Sequence, residues 1–264
     1  MVRTVTRVRQ ELSGLRAGVS QGELVRRARD RRPPRAWAAH LAAPEEVRVI
    51  AEIKRRSPSA GPLAPGLDAA VRARLYADHG AAAISVLTDR AFDGDLADLS
   101  AVAAAVPVPV LRKDFLVDPY QVWESRAAGA DAALLIAAAV DDVALGELLA
   151  VAKEADLGLL VEVHSAMEAD RALAAGAQVI GVNSRDLATL EVAADAGFDI
   201  LAALRSRLGP DAVLVAESGI RSAEDVARAR LAGADAVLVG ERLMRAEDPG
   251  AALAELVQAG AGRP

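Results

Sequence analysis

The sequence predicts the α/β class and, within it, a single closed (β/α)8 TIM barrel with a short N-terminal helical extension. From residue 47 onward, short apolar runs alternate with helical segments, as in successive strand-helix units. Four Gly-Ala phrases, at Gly80, Gly129, Gly176 and Gly233, recur after 49, 47 and 57 residues, about two units per step. This regularity favours a barrel over an open doubly wound sheet, which usually reverses strand order once. Residues 1–264 are expected to form one domain, which is long enough for such a barrel. The hydrophobic content of 53% is sufficient for a large core.

Eight strands and eight helices are expected in alternation. The strands are predicted at 47–54, 82–87, 108–113, 131–136, 157–163, 178–182, 213–217 and 235–239. The helices are predicted near 68–78, 95–105, 119–128, 141–154, 166–175, 197–207, 222–232 and 249–259. Capping signals support three helix starts: Asp118 with Pro119, Ser165 with Glu168, and Ser222 with Asp225. The four glycines named above suit the left-handed position that ends a helix.

Residues 1–46, the N-terminal extension, differ in charge from the rest of the chain. They hold ten arginines, no lysine and five acidic residues, about +5, whereas the remainder carries about −11. The acidic residues are interspersed with apolar ones at helical spacing, which favours a partly frayed helical extension over a targeting peptide or a nucleic-acid arm. A proline pair at 33–34 ends its first part, and 35–41 is expected to be a short helix covering one end of the barrel.

The composition argues against several classes of function. A net charge of −6, from 31 basic and 37 acidic residues, disfavours a general nucleic-acid binder. The absence of cysteine excludes disulfides and thiolate metal sites, and the three histidines lack metal-ligand spacing, so no metal is expected. The apolar runs are short and the start has no apolar signal core. We therefore expect a soluble cytoplasmic protein without nucleic-acid or membrane partners, either a monomer or a weak homo-oligomer.

The first predicted strand carries ionisable groups at its end. It belongs to the stretch VIAEIKRRSPSAG, residues 49–61, in which Glu52 and Lys54 share one face because side chains alternate along a strand. A carboxylate and an ammonium are costly in a buried parallel strand unless they are paired or used. The basic turn that follows, with its hydroxyls and backbone amides, suits an anion. A structural ion pair above an ordinary loop is an equally good interpretation of this stretch alone.

Polar side chains also end several other predicted strands. The third strand ends in Arg112, Lys113 and Asp114, the fifth in Glu162 and His164, the sixth in Asn183 and Arg185, and the seventh in Glu217 and Ser218. The C-terminal ends of barrel strands form the active site in enzymes of this fold. Two lysines, three carboxylates and an amide around one mouth suit acid/base chemistry on an anionic substrate. A purely structural polar plug is the alternative.

Two glycine-containing phrases suggest a phosphate site at the same mouth. AESGI, residues 216–220, leads into a helix, and VLVGERLM, residues 237–244, places Gly240 and Glu241 at a short helix start. Barrels often bind phosphate with the loops after strands seven and eight. Glu241 would act through its N–H, because its carboxylate repels phosphate. A helix cap or a tight turn is the usual explanation of one such glycine, but the pair favours a phosphate site.

Other candidates have structural interpretations that are at least as good. Apolar residues that could wall an aromatic pocket are Phe115, Leu134, Ile136, Leu187 and Leu238, although core packing is the better interpretation of each alone. His164 is expected to be a loop or cap residue rather than a catalytic base. Tyr120 and Trp123 are expected to pack against the barrel from their helix.

Several long phrases together resemble indole-3-glycerol phosphate synthase, the barrel enzyme of tryptophan biosynthesis. They are VIAEIKRRSPSAG, ISVLTD, VPVLRKDFLVDPYQVWESRAAGADAALLI, LVEVHS, VIGVNSRDLATLEV, VAESGI and DAVLVGERLM, within residues 34–256. The resemblance implies a carboxy-lyase that closes the ring of 1-(2-carboxyphenylamino)-1-deoxyribulose 5-phosphate to indole-3-glycerol phosphate, with loss of carbon dioxide and water. It also implies a small-molecule phosphorylated anthranilate-sugar substrate and no cofactor.

The resemblance also implies roles for particular residues. Lys113 resembles the general acid for ring attack on the ketone, and Glu162 its acid/base partner in the later dehydration. Lys54 would hold the carboxylate that leaves, with Glu52 setting its charge state. Asn183 and Ser218 would position substrate hydroxyls, supported by Glu217 and Arg185. Ser57, Gly219, Gly240 and Glu241 would hold phosphate, while Pro58, Phe115, Leu187 and Leu238 resemble the walls around the ring.

Three features depart from the family pattern. Ala60 stands where a lysine is common, Asp95 stands where serine is usual, and the Arg-rich start is unusual. These departures concern substrate affinity and the lid rather than the chemistry. Two competing interpretations are a phosphosugar isomerase, which would not require the anthranilate ring, and a catalytically silent phosphate binder or assembly partner. The intact set Lys54, Lys113, Glu162 and Asn183 argues against the silent protein.

Overall fold

The computed structural model shows a closed barrel of eight parallel strands with helices between them. It describes residues 2–43, 45–57, 61–186, 189, 191–208 and 212–262. The barrel strands are β1 (Arg48–Ile53), β4 (Ala83–Leu87), β5 (Val110–Lys113), β6 (Ala132–Ile136), β7 (Gly158–Val163), β8 (Val179–Asn183), β9 (Val213–Glu217) and β10 (Ala236–Val239). Each pairs with its neighbours in chain order, and β1 closes the ring by pairing with β10. The fold-class prediction is confirmed.

The helices follow the strands as expected. They are α1 (Val2–Gly18), α2 (Gln21–Arg29), α3 (Trp37–Leu41), α4 (Ala69–Asp78), α5 (Leu96–Ala105), α6 (Pro119–Ala128), α7 (Asp142–Glu154), α8 (Ala166–Ala174), α9 (Ala194–Arg205), α10 (Ala223–Leu231), α11 (Glu241–Arg245) and α12 (Pro249–Gly260). Single 3-10 turns lie at Arg90–Phe92 and Ala137–Ala139. The short antiparallel pair β2 (Arg56–Ser57) and β3 (Gly61–Pro62) after β1 was not predicted.

The capping chemistry explains where most helices begin and end. Asp118 caps α6 by accepting from the N–H of Tyr120, and Ser222 forms a complete capping box with Asp225 at α10. Ser165 caps α8, but the carboxylate of Glu168 accepts from the N–H of His164 instead of returning to the cap residue. Positive φ angles, from +87° to +99°, occur at all four predicted helix-ending glycines: Gly80, Gly129, Gly176 and Gly233.

The N-terminal extension packs against the barrel as three regular helices rather than a partly frayed segment. Val8 and Leu12 of α1 and Leu24 of α2 are buried in the same apolar core as the barrel strands. At the N-terminal end of the barrel, Trp37 lies so close to Gly158 that a Cβ there would be 2.9 Å from the Trp37 Cβ. Within the extension, α3 therefore covers the N-terminal end of the barrel.

A buried aspartate ties the linker before α3 to this end of the barrel. Asp131, whose side chain is fully buried, accepts hydrogen bonds from the backbone N–H of Arg35 at 2.8 Å and of Val110 at 2.9 Å. The guanidinium groups of Arg35 and Arg32 bind the same carboxylate at 2.7 and 3.0 Å. Two cations and two amides satisfy the buried charge, so the position of the linker is well determined. Within the described part of the chain, no helix is long and apolar enough to span a membrane.

Candidate active site

A cavity of about 660 Å³ opens at the C-terminal ends of the strands, and the polar strand ends surround it. It is lined by fourteen of the candidate site residues: Glu52, Lys54, Ser57, Lys113, Phe115, Glu162, Asn183, Arg185, Glu217, Ser218, Gly219, Leu238, Gly240 and Glu241. The other two candidates, Pro58 and Leu187, lie outside the described residues, as does Ala60. Side chains separated by up to 189 positions in sequence therefore face one space.

Lys113 lies at the centre of the polar part of this cavity. Its Nζ is 3.0 Å from Glu162 Oε2 and 2.9 Å from Glu217 Oε2, so one ammonium bridges the ends of β7 and β9. Burial lowers the pKa of Lys113, but the charges of Glu162, Glu217 and Glu52 outweigh burial and raise the pKa above its usual value. Lys113 is therefore protonated, as a general acid must be before it acts.

The two carboxylates bound to Lys113 have pKa values displaced in opposite directions. Burial raises the pKa of Glu162, but Lys113 and His164 outweigh burial, and the pKa is lowered. For Glu217, burial together with the neighbouring charge of Glu162 outweighs Lys113 and raises the pKa to about 7. Among the described residues, Glu217 Oε1 has no hydrogen-bond partner. A site with one ionised and one readily protonated carboxyl can both accept and supply protons.

A second ion pair lies at the end of β1. Lys54 Nζ is 2.7 Å from Glu52 Oε1, as the shared strand face predicts. Gly240 on the neighbouring strand end leaves room for this carboxylate, since a Cβ there would lie 2.3 Å from Glu52 Oε1. Gly181 has the same relation to Glu217, with a distance of 2.0 Å to Oε1. The absence of side chains at these two glycines admits the carboxylates to the cavity.

The strand ends β9 and β10 form the side of the cavity where phosphate was predicted. Ser218 and Gly219 adopt consecutive left-handed conformations, with φ of +64° and +81°. Such a φ is uncommon for a serine and marks a turn that the surrounding structure enforces. Gly240 precedes α11 directly, so backbone amides from both loops are available on this side.

Several lining residues were not predicted from the sequence. They are Thr4, Arg7, Asp89, Ala91, Phe92, Val192, Ile220, Arg221, Val239, Arg242 and Arg245. Leu87 and Asp114, at predicted strand ends, and Leu134 and Ile136, predicted as possible pocket walls, also line the cavity. Arg7 on α1 forms an ion pair with the buried Asp89. No local signal distinguishes Arg7 from the other arginines of the extension, whereas Arg242 and Arg245 could have been found from their place after Gly240. Apolar side chains, among them Phe115, Leu134 and Ile136, also line the cavity.

Lysine is rare in this chain and concentrated in the cavity. It occurs at three positions among 31 basic residues, and two of them, Lys54 and Lys113, line the cavity. The third, Lys153, is exposed on α7. Arginine stays protonated at any ordinary pH, whereas an ammonium group can give up a proton. The two lysines of the cavity, unlike the five arginines that also line it, are therefore of the type that proton transfer requires.

Comparisons with known proteins identify the family. A sequence model of indole-3-glycerol phosphate synthase matches residues 1–256. The chain belongs to the indole-3-glycerol phosphate synthase family. A Mycobacterium ulcerans enzyme of that name is 51% identical over 254 residues, which cover 96% of this chain and 92% of the relative. One from Arthrobacter sp. is 48% identical over 258 residues, covering 96% and 93%. The predicted resemblance is confirmed over nearly the whole chain.

Solved structures of low sequence identity share the fold. A 3-hexulose-6-phosphate synthase has a TM-score of 0.63 at 18% identity, covering 81% of this chain and 99% of its own. A thiamine phosphate pyrophosphorylase from Pyrococcus furiosus has a TM-score of 0.61 at 19% identity, covering 81% and 95%. At these identities the likeness supports the barrel fold and nothing further.

Membership of the indole-3-glycerol phosphate synthase family gives the reaction. The chain is a lyase of tryptophan biosynthesis that converts 1-(2-carboxyphenylamino)-1-deoxyribulose 5-phosphate to indole-3-glycerol phosphate, with decarboxylation and dehydration. The competing interpretations, a phosphosugar isomerase and a silent binding protein, are wrong.

Proposed function

We propose that Lys113 is the general acid of ring closure and that Glu162 is its acid/base partner. When the ring carbon bearing the carboxylate attacks the ketone carbon, negative charge develops on the ketone oxygen. Lys113 donates its proton there, which leaves a hydroxyl group. The observation that carries this proposal is the position of Lys113 Nζ between two carboxylates whose pKa values move in opposite directions.

The later steps use the carboxyl groups. Loss of carbon dioxide returns its bonding electron pair to the ring and restores aromaticity. The hydroxyl formed earlier then leaves as water after taking up a proton, while another proton is removed to give the indole double bond. Glu162 transfers protons in this dehydration and, as a carboxylate, stabilises iminium character on the ring nitrogen. Glu217, with a pKa near 7, supports it as a buried proton reservoir.

The remaining residues hold the substrate. Lys54 binds the carboxylate that leaves, and the contact with Glu52 at 2.7 Å holds its ammonium group at the end of β1. Asn183 and Ser218 position hydroxyls with the help of Arg185. Phosphate is held by Ser57, the backbone amides at Gly219 and Gly240, and the N–H of Glu241. Phe115 and Leu238 wall the ring, together with Pro58 and Leu187. All the described members of this set line the one cavity.

Replacement of Lys113 by methionine tests the central assignment. The change removes the proton donor but keeps a similar length, so kcat is expected to fall by about 10²-fold or more while substrate Kd changes little. Indole fluorescence measures turnover, and titration of the variant with substrate measures binding. Lys153→Met, which removes an exposed lysine from α7, is the matched control and should keep full activity. Near-normal kcat in Lys113→Met would remove Lys113 from the acid role.

We also propose that residues 1–264 form one domain, of which residues 1–46 are the N-terminal extension. The protein is further proposed to act in the cytoplasm on this small substrate, as a monomer or a weak homo-oligomer. Burial of Val8, Leu12 and Leu24 in the core of the barrel supports the single domain. The net charge of −6 supports the absence of nucleic-acid partners. Sedimentation velocity measures the oligomeric state, and an oligomer that persists at nanomolar protein concentration would overturn the proposed monomer or weak homo-oligomer.

A further inference from the structure

His164 lies directly after β7, between two glutamates. Its Nε2 is 3.4 Å from Glu162 Oε1 and its Nδ1 is 3.5 Å from Glu168 Oε2, and its side chain is 14% exposed. The carboxylate of Glu168 also accepts from the backbone N–H of His164 at 2.8 Å, which holds this carboxylate beside the ring. Among the described residues, neither ring nitrogen forms a hydrogen bond, so the contacts of the ring with the two glutamates are ion-pair contacts. The imidazole therefore forms a bridge between α8 and Glu162.

The ring of His164 lies behind Glu162 as seen from the cavity. Among the described residues, those lining the cavity include Glu162 but not His164. Glu162 thus has Lys113 on Oε2, at the cavity side, and the imidazole on Oε1. Any effect of His164 on the substrate must pass through this carboxylate.

We propose that His164, carried as an imidazolium by Glu168, is a positioning residue that fixes the orientation of Glu162 and keeps it ionised between turnovers. This inference rests on the acid/base role proposed above for Glu162. The arrangement is an ordered chain of three groups, in which an outer carboxylate orients an imidazole and the imidazole acts on the inner carboxylate. A neutral ring has one N–H and could donate to only one of the two carboxylates, whereas a charged ring has an N–H facing each of them and attracts both.

The charges around the ring support the protonated form. Glu162 and Glu217 face it from the strands, and Glu168 faces it from α8. Burial lowers the pKa of His164, but these three carboxylates outweigh burial and raise it above the usual value. Lys113 and Arg171 act one contact away, on Glu162 and on Glu168. In return, the imidazolium helps lower the pKa of Glu162.

A direct test follows the three histidines of the chain by NMR. His40 and His79 are internal controls, because each places Nδ1 near the carbonyl four residues earlier, at 2.9 and 2.7 Å, and neither forms an ion pair with a carboxylate in the described structure. The titration midpoint of His164 is expected to lie above both controls and to fall in Glu168→Gln. A midpoint equal to those of the controls, or one unchanged by Glu168→Gln, would overturn the proposal.

A kinetic test separates positioning from simple structural support. In His164→Gln, loss of the charge should raise the pKa of Glu162, so the acidic limb of the kcat profile moves to higher pH by about one unit. KM should change little. Glu168→Gln should move the limb in the same direction by less, because His164 then loses only part of its charge. His164→Lys, which is positively charged throughout this pH range, should move the acidic limb part of the way back to its wild-type pH. An unmoved limb in His164→Gln would refute the inference.

The two tests also separate this inference from the proposed function. If Glu162→Gln keeps wild-type kcat, the acid/base role of Glu162 fails, and with it the functional consequence of His164. If Glu162→Gln is inactive but the pH profile of His164→Gln is that of the wild type, the positioning role alone fails. Should His164→Gln not fold, Glu168→Gln supplies both measurements, since it leaves the ring in place.

Discussion

Arg112 and Lys113 are consecutive residues of β5, and both carry a buried charge, but they point to opposite sides of the barrel wall. Arg112 points outward to α6, where its guanidinium lies 2.9 Å from Asp114, 2.8 Å from Glu124 and 3.1 Å from Ser125 Oγ. Lys113 points inward to the cavity and to two glutamates. The alternation of side chains along the strand separates a structural cluster from a reactive one.

The difference between the clusters lies in the number of hydrogen-bond partners around each cation. Arg112 also donates to the hydroxyl of Thr88 and to the carbonyl of Gln121, so its forked donors are occupied on every side. Burial lowers the pKa of Arg112, but Asp114 and Glu124 outweigh burial, and the group stays charged. The inner cluster has fewer partners, borders a cavity and includes a carboxyl that titrates near pH 7. The inner cluster is therefore the one suited to proton transfer.

The largest expected effect is on stability, from Arg112→Met. The change leaves Asp114 and Glu124 buried without their cation, so the free energy of unfolding should fall by about 3–5 kcal/mol. Urea unfolding followed by circular dichroism measures this loss. The kcat of the folded fraction should stay within about tenfold of the wild type, which is the reverse of the result expected for Lys113→Met. If Arg112→Met lost activity without losing stability, the outer cluster would not be structural, and the contrast with the cluster around Lys113 would fail.

The second effect is a pH dependence of stability that comes from Glu217. The folded-state pKa is raised from 4.5 to about 7, so the group contributes fully to stability below pH 4.5, and the contribution is lost as pH rises through 7. The wild type should therefore lose on the order of 3 kcal/mol, relative to Glu217→Gln, between pH 4.5 and pH 8.

Urea unfolding of both proteins across this range measures the difference. Glu154→Gln, an exposed change on α7, is the control and should follow the wild type. A constant difference between the wild type and Glu217→Gln would show that Glu217 is ionised throughout, so the inner cluster would be as fixed as the outer one.

The smallest effect is at a cap far from both clusters. Asp95 Oδ1 accepts from the N–H of Ala97 at 2.7 Å, so the aspartate caps α5 where serine is usual in the family. Asp95→Ala should lower stability by about 1 kcal/mol, and Asp95→Ser should change it by less than about 0.5 kcal/mol. Thermal unfolding measures both, and kcat should not change. A large loss in Asp95→Ser would mean that the carboxylate has a role beyond capping.

The sequence predicted the barrel well because its strongest signals are local. Each apolar run ends within two residues of an observed strand boundary, and Asp118, Ser222 and the helix-ending glycines act where they were expected. The start of α9 was placed three residues too late, because Ala193 has no capping side chain to mark it. The β2–β3 pair is too short to have a periodicity. These errors come from elements that lack local signals.

The site was partly predictable for the same reason. Strand ends show which side chains reach the mouth, but they do not show what a separate helix brings there, so Arg7 on α1 was missed. The environment of His164 was also missed. Its predicted place next to a helix cap describes its backbone, whereas its ring contacts Glu162. This contact could have been predicted, because residues two apart along a strand share a face, as Glu52 and Lys54 do.

The scarcity of lysine has a practical consequence for handling the protein. Lys153 lies in the last turn of α7, just before β7 begins at Gly158, so it faces solvent at the end of the barrel opposite the cavity. Lys54 and Lys113 are largely buried and engaged by carboxylates. Amine-directed reagents should therefore attach dyes or a solid support mainly through Lys153 and the chain terminus. Molecules immobilised through Lys153 would present their open ends to the solution.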